Sequence, residues 1–462
     1  MNLYDLSRRM CEWDEIPYWR QRFRGTMLSD YKGEFYSPFF LLGLPGIGAD
    51  EQRTSAERWM GARMAEASGV RAERRFRDSS EPAQRIRIGY LSNDFHNHAT
   101  AFLMIELFEN HDRSLFELFA YSYGEDDGKE MRARLESAFE HFVDVQALNI
   151  GETAEAINGD GIDILIDLKG FTQGTRTEVL AHRPAPVQVN FLGYPGTLGA
   201  GLCDYIITDR FLTPLAAAAD YSEAFAYLPD SYQPNGQRLQ IGVVPSRASA
   251  GLPETGFVFC CFNQSRKFTP EIFEVWCRLL SNNPGSVLWL LADKMAEGNL
   301  KNLAMHHGVL PGRLVFAEHV SQEDHLARLQ LADLLLDTLP YNAHTTASDA
   351  LWAGVPMVTC SGETFASRVA GSLLHAVGFP ELITEDLEGY YELALALSLD
   401  PVRYECLVLR LQENRLSMPL FDIKRYTRHL EDLYRQMWER YQSGALPNTL
   451  DTEPGSRLQT MR

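Results

Sequence analysis

From Arg85 onward, short apolar runs rich in β-branched and aromatic residues alternate with stretches of helical spacing. IRIGYL (86–91), LFELFAYS (115–122), IDILIDL (162–168), VQVNFLG (187–193) and YIITD (205–209) read as strands of one series. FVFCCFN (257–263), SVLWLLA (286–292), RLVFAEH (313–319), LLLDT (334–338) and PMVTC (356–360) read as strands of a second. Strands without polar alternation, separated by helices, predict parallel sheets covered on both faces. Helices of the second series are expected to start near Thr269, Met295, Glu323 and Thr346, and the last, Lys424 to Gln442, is amphipathic and rich in aromatics. Residues 228–256 lose the pattern and carry Pro229, Pro234, Gly236, Pro245 and Pro253, so they read as an interdomain connection.

The first 84 residues differ. Trp13, Tyr18, Trp19 and Phe23 recur at helical spacing, as do Ala56, Trp59, Met60 and Met64. The stretch from Ser37 to Gly48 reads as a connection, and Arg71 to Arg85 as a charged linker. The expected class is α/β, with a helical segment (1–84), a Rossmann-like domain (85–240) and a second one (241–462) that includes the last helix. Such sheets bind ligands at the carboxyl ends of their strands, here in a cleft between the domains.

Composition narrows the classes of function. The net charge of −19 over 462 residues excludes a non-specific nucleic-acid binder and docking on an anionic membrane. No run of about 18 apolar residues is available to span a bilayer, and MNLYDLSRRMCEWDE does not read as a signal peptide. Seven scattered cysteines form neither a disulfide framework nor a CxxC metal site. Cys260 and Cys261 fall inside a strand and are expected to be buried. A reducing cytosol is the simplest setting.

Four clusters could carry chemistry. Asn93 to Thr100 (NDFHNHAT) follows the first strand; His98 is suited to proton transfer or to a sugar hydrogen bond, or it is simply part of a helix cap. Gly170 to Arg176 (GFTQGTR) is followed by RPAPVQVNFLGYPGT (183–197). There a tight loop at Gly193 and Pro195 either admits a sugar or phosphate to backbone N–H groups or is a structural turn. Asn263 to Lys267 (NQSRK) puts Lys267 where a helix start ordinarily favours acids, which points to an anion such as a diphosphate leaving group. The fourth, Asp337 to Thr346, ends with His344 and two threonines at a helix start, more than a cap requires and suited to phosphate. Asp349 lies one turn further and could accept from a ribose; His325 and Arg328 share a helix face upstream. Asp126-Asp127-Gly128 reads as a turn. No metal-ligand cluster appears, so no metal or other cofactor is expected.

These runs, with SVLWLL (286–291), EDHLARLQLADLLLDT (323–338), HTTASDALWAGVPMVT (344–359) and ETFASRVA (363–370), occur in one order. From about Arg85 to Leu446 the chain resembles the catalytic region of O-GlcNAc transferases and Spindly proteins. The resemblance implies the GT-B fold and an inverting, metal-independent transfer of a sugar, GlcNAc from UDP-GlcNAc, to Ser or Thr of a protein. It assigns His98 to the acceptor and sugar, Gly193 and Pro195 to the sugar, and Gln264 and Lys267 to the diphosphate. His325 and Arg328 go to the nucleoside, His344, Thr345 and Thr346 to sugar and phosphate, and Asp349 to the ribose. Arg176, within GFTQGTR, joins this substrate-binding set. Arg266 stands where the family has tyrosine, and Gln322 where it has a ribose-contacting lysine. The superhelix of tetratricopeptide repeats and the animal insertion between lobes are missing, as in the simpler bacterial layout. Other donors (UDP-glucose, GDP-fucose, a nonulosonate), other acceptors (flagellin, asparagine) and a binding module without turnover are the alternatives.

Overall fold

The computed structural model describes residues 3–28, 37–67, 85–237, 240–291 and 293–452; the proposed charged linker falls outside them, apart from Arg85. The chain forms two compact units. One comprises Lys32–Leu41, Gly48–Gly236 and Asp422–Arg462, the other Met1–Tyr31, Leu42–Ile47 and Gln237–Phe421.

The first unit carries an eight-stranded sheet. Its strands are β1 (Ile86–Ser92), β2 (Phe116–Ser122), β3 (His141–Asp144), β4 (Ile164–Asp167), β5 (Val187–Asn190), β6 (Tyr205–Asp209), β7 (Ala224–Leu228) and β14 (Leu450–Asp451). Their spatial order is β14-β7-β6-β5-β4-β1-β2-β3, parallel throughout. Helices α3 (Ala49–Ala67), α4 (Ala99–Asn110), α5 (Glu130–Ala138), α6 (Ile150–Gly159), α7 (Glu178–Ala181) and α15 (Ile423–Gln442) belong to it. Every residue of β4 and β5 is buried, which is why these runs are apolar without alternation. Asn149 and Glu152 form a reciprocal capping box that starts α6.

The second unit carries a six-stranded parallel sheet of β8 (Val258–Cys261), β9 (Val287–Leu290), β10 (Leu314–Phe316), β11 (Leu334–Leu336), β12 (Met357–Cys360) and β13 (Ile383–Thr384). Its order is β10-β9-β8-β11-β12-β13. With it go α1 (Leu3–Arg9), α2 (Ile16–Leu28), α8 (Pro270–Asn282), α9 (Lys294–His306), α10 (Gln322–Leu329), α11 (Thr345–Ala353), α12 (Val369–Val377), α13 (Leu387–Leu399) and α14 (Pro401–Asn414). The Thr269 hydroxyl accepts the Ile272 N–H at 3.3 Å and Pro270 opens the first turn, so α8 begins where the sequence places it. Cys260 and Cys261 are fully buried in β8.

Two parts of the expected division change. The last helix does not belong with residues 241–462. Leu430, Leu433, Tyr434 and Met437 of α15 are buried in one core with Ile88, Met104, Phe108 and Phe116 of the eight-stranded unit. A buried polar chain fixes it there: Glu431 accepts from His111 (2.9 Å), and Tyr90 bonds both His111 (2.9 Å) and Tyr434 (3.2 Å). Nor do the described residues before Arg85 form a separate segment, because α1 and α2 pack in the six-stranded unit and α3 in the eight-stranded one.

Candidate active site

In a doubly wound sheet the loops on either side of a reversal in strand order part, leaving a crevice at the strands' carboxyl ends. The eight-stranded sheet reverses at β1, between β4 and β2; the six-stranded sheet reverses at β8, between β11 and β9. The four clusters leave β1, β4 with β5, β8, and β11. The sequence therefore marks both switch points.

In the eight-stranded unit, Asn93 Nδ2 donates to the Gly174 carbonyl at 3.2 Å, joining the first cluster to the second. Gly170 has φ +51°, and a Cβ there would lie 2.3 Å from the Tyr194 Cβ. A Cβ on Gly193 would lie 2.0 Å from the Leu168 carbonyl oxygen. Both positions need glycine because the loops after β4 and β5 meet there at contact distance. The expectation that the Gly193–Thr197 loop offers free N–H groups is corrected in part. The Gly193 N–H closes on the Phe191 carbonyl (2.8 Å) and the Gly196 N–H on the Tyr194 carbonyl (3.0 Å). Buried Glu223 anchors the loop's end, accepting from the Thr197 hydroxyl at 2.5 Å and the Leu198 N–H at 2.8 Å.

His98 is the N-cap of α4, and its Nδ1 accepts the Thr100 N–H at 3.2 Å. Asp94 Oδ2 lies 3.4 Å from the same nitrogen. The two neighbours select opposite tautomers of a neutral ring. Asp94 is already engaged by buried Lys169, whose ammonium donates to both its oxygens at 3.0 and 2.9 Å. The tautomer with Nδ1 accepting and Nε2 bearing the proton is thereby favoured. Partial desolvation by the surrounding protein, opposed by Asp94 and reinforced by Lys169 and His96, holds His98 below its ordinary pKa, although 43% of its side chain is exposed. Asp126-Asp127-Gly128 closes an Asx turn, the Gly128 N–H donating to Asp126 Oδ1 at 2.8 Å with Gly128 at φ +63°, and Asp127 braces the cluster by accepting the Asn97 N–H at 3.1 Å.

In the six-stranded unit the organiser is Asp337, just past β11. Its carboxylate accepts from the Thr338 N–H (2.7 Å), the Ala343 N–H (2.6 Å) and the Thr359 hydroxyl (2.6 Å). Burial pushes its pKa up to about 6 against these bonds. The loop so fixed receives Lys267, whose Nζ donates to the Asn342 carbonyl at 2.6 Å and to Asn263 Oδ1 at 3.2 Å. The ammonium also lies 4.1 Å from the centre of the Tyr341 ring. Burial lowers the Lys267 pKa to about 7, with Asp337 opposing and Arg266 adding to the fall.

His344 precedes α11 and is held neutral by burial and by Lys267. Its Nε2 is buried without a hydrogen-bond partner among the described residues. Thr345 and Thr346 are the first two residues of the helix, and His344 makes no side-chain cap. The earliest N–H to bond back is that of Ala347, to the His344 carbonyl at 3.0 Å. The amides ahead of it point out of the helix's positive end.

One turn further, Asp349 Oδ1 accepts from Gln322 Nε2 at 3.2 Å, and Oδ2 lies 3.8 Å from His325 Nε2. Arg328 Nη2 donates to His325 Nδ1 at 3.1 Å, which puts the ring proton on Nε2, toward Asp349. Burial pushes Asp349 up to about 7 and His325 down to about 4.

Lys267, His344, Thr345 and Thr346 thus gather at one switch point, with Asp349, His325 and Arg328 on adjoining helices. Gln264 is exposed at the start of the Ser265–Lys267 turn. Arg176 departs from its expected role. Its guanidinium donates to the carbonyls of Val145 (2.9 Å), Leu148 (2.9 Å) and Gln146 (2.8 Å), so it ties down a loop. Lys169 and Glu223 lie outside the clusters read from the sequence, and Asp94 and Asp337 lie inside them without an assigned role. Lys169 and Asp337 did carry a signal, a charge at the end of an apolar strand. Among the described residues no group of three or more His, Cys, Asp and Glu is placed to hold a metal, and no helix is long and apolar enough to cross a membrane.

The paired parallel sheets are the GT-B arrangement. A solved O-GlcNAc transferase mutant from Thermobaculum terrenum superposes with a TM-score of 0.80 at 31% identity, over 87% of this chain and 76% of that one. The chain is 43% identical over 372 residues to the probable UDP-N-acetylglucosamine–peptide N-acetylglucosaminyltransferase SEC of Arabidopsis thaliana, covering 79% of this chain and 38% of that protein. It is 33% identical to the UDP-N-acetylglucosamine–peptide N-acetylglucosaminyltransferase of Caenorhabditis elegans, covering 80% and 42%. The chain spans about two fifths of the length of these curated relatives. The sequence profile of glycosyl transferase family 41 matches residues 70–241 and 234–430, and the chain belongs to that family.

Proposed function

We propose that this protein transfers a sugar from a nucleoside diphosphate, GlcNAc from UDP-GlcNAc, to Ser or Thr hydroxyls of a protein acceptor, with inversion and without a metal. The observation that carries this reading is the convergence of Lys267, the unpartnered His344 Nε2 and the start of α11 at one switch point. A side-chain cation and a helix N-terminus together supply the positive charge a departing diphosphate needs. The names of the Arabidopsis and Caenorhabditis relatives support the donor and the peptide acceptor.

In a single displacement the acceptor oxygen bonds to the anomeric carbon as the bond to the diphosphate breaks. The electron pair leaves on the phosphate oxygen and the hydroxyl proton passes to solvent or a neighbouring base. Lys267 and the α11 amides receive the developing charge. His98, with its Nε2–H tautomer favoured, serves as a hydrogen-bond donor to sugar or acceptor oxygen. A different nucleotide sugar is the second reading, favoured by Gln322 at the ribose-side carboxylate Asp349.

Thermal shift against UDP-GlcNAc, UDP-glucose, GDP-fucose and a CMP-nonulosonate tests the donor, since a native-state ligand must raise apparent stability. Mass spectrometry of peptide acceptors tests transfer. Stabilisation by UDP-GlcNAc and a mass gain of one N-acetylhexosamine on Ser or Thr are expected. Stabilisation without hydrolysis or transfer would identify a binding module.

A further inference from the structure

The turn that carries Lys267 is held from beneath by the amino-terminal segment of the same unit. Three groups between Arg8 and Cys11 engage it. The Arg8 guanidinium, 6% exposed, donates to the Arg266 carbonyl. The buried Ser265 hydroxyl donates to the Arg9 carbonyl at 2.8 Å, and the Cys11 thiol reaches the Ser265 carbonyl at 3.9 Å. The segment is itself pinned to elements that follow β9. Arg9 pairs with Asp293 at 2.9 and 3.3 Å, and Asn299 Nδ2 of α9 donates to the Met10 carbonyl at 2.9 Å. Trp13 packs on Phe273 of α8, with ring centres 5.7 Å apart. Space around Arg8 is fully used: a Cβ on Gly43 would sit 2.3 Å from its Nη2.

A three-residue turn has few bonds of its own. The Lys267 N–H meets the Gln264 carbonyl and the Phe268 N–H the Ser265 carbonyl, each at 2.9 Å. Lys267 must hold its ammonium against the Asn342 loop, and a shift of about 1 Å in such a group is enough to cost about two orders of magnitude in rate. We propose that Arg8 is a positioning residue for diphosphate binding: by clamping the Arg266 carbonyl it fixes the Ser265–Lys267 turn, so the amino-terminal segment is a working part of the phosphate site. The inference rests on the reading of Lys267 as the diphosphate cation. Arg8 itself touches no substrate.

The test uses the full chain with Arg8→Met, Gly43→Ala and Lys267→Met, each titrated with UDP and with uridine. Gly43→Ala retains Arg8 but displaces its guanidinium, and so covers the case in which Arg8→Met does not fold. Both variants are expected to weaken UDP at least tenfold and uridine less than threefold, with Arg8→Lys recovering part of the loss. If Lys267→Met weakens UDP while Arg8→Met and Gly43→Ala bind it as wild type does, the positioning role is overturned and the phosphate site stands. Equal weakening of UDP and uridine would make Arg8 a merely structural residue. Unchanged UDP binding by Lys267→Met would overturn the underlying site and this inference with it.

Discussion

The Lys267 ammonium donates to the backbone carbonyl of Asn342 at 2.6 Å, so a side chain from the loop after β8 is seated on the loop after β11. Those strands are neighbours in the sheet but more than seventy residues apart in sequence. The bond holds a cation of lowered pKa beside a helix start, where an arriving phosphate would replace a carbonyl as its partner. Diphosphate binding should therefore draw Lys267 back to the fully charged form.

Lys267→Ala should lower transfer by about two to three orders of magnitude, the usual worth of a group aimed at developing charge. Folding stability should fall by about 1–3 kcal/mol, since the free protein loses the hydrogen bonds to Asn342 and Asn263 and the contact with the Tyr341 ring. Turnover assays and denaturant unfolding check the two parts. Near-wild-type turnover would remove Lys267 from the catalytic set.

Lys169→Met should destabilise the fold by about 3–5 kcal/mol, because it strands the buried Asp94 carboxylate. It should also raise the pKa of His98, since Lys169 lowers that value and Asp94, no longer shared, raises it. Asp94→Asn should move His98 the opposite way. Titrating the His98 ring by NMR in both variants reads the direction. Shifts of the same sign would mean that the pair does not govern His98.

Much of this arrangement was legible because it is local. The apolar runs at Ile86, Phe116, Tyr205 and Val258 locate strands, Thr269-Pro270 locates the start of α8, and polar clusters directly after strands locate the switch-point loops. What was not legible is what depends on distant partners. β13 and β14 are two residues long, and β3 is a partly exposed edge, so none has an apolar run to betray it. The apolar face of α15 was visible, but the sheet it covers is decided by Glu431 meeting His111 and Tyr434 meeting Tyr90, across more than three hundred residues. Nothing near Arg8 announces Arg266. Arg176 misled for a related reason: the carbonyls that take up its donors lie about thirty residues upstream.

Uridine affinity should rise with pH through about 7. Asp349 is raised to about 7 by burial, and only its carboxylate form is a pure acceptor for ribose hydroxyls, so the binding form accumulates above that value. His325, lowered to about 4, stays neutral across this range and adds no counter-trend. Uridine carries no phosphate, which keeps Lys267 out of the measurement. Gln322→Lys would put an ammonium beside Asp349, lower its pKa and shift the rise to lower pH. Calorimetry from pH 5.5 to 8.5, a range chosen as about 1.5 units on either side of 7, checks both. An affinity falling across that range would show that the protonated acid is the binding form.

The double substitution Thr345→Ala, Thr346→Ala separates a phosphate site from a helix cap. A helix that loses its capping hydroxyl loses about 0.5–2 kcal/mol. Here the N-cap position is His344 and its side chain makes no cap bond, so the threonines are not in the capping place and the stability cost should fall at or below the low end of that range. If their hydroxyls bind the diphosphate, each lost bond to a charged group removes about 1.5–3 kcal/mol, and about 1.4 kcal/mol is tenfold in affinity. UDP should bind at least one order of magnitude more weakly to the double variant, while uridine, which lacks the diphosphate, should bind nearly as before. Equal weakening of both ligands would mean that the loop from Asp337 to His344 had shifted as a whole. In that case the loss would belong to the platform Asp337 builds, and the hydroxyls would carry no phosphate contact of their own.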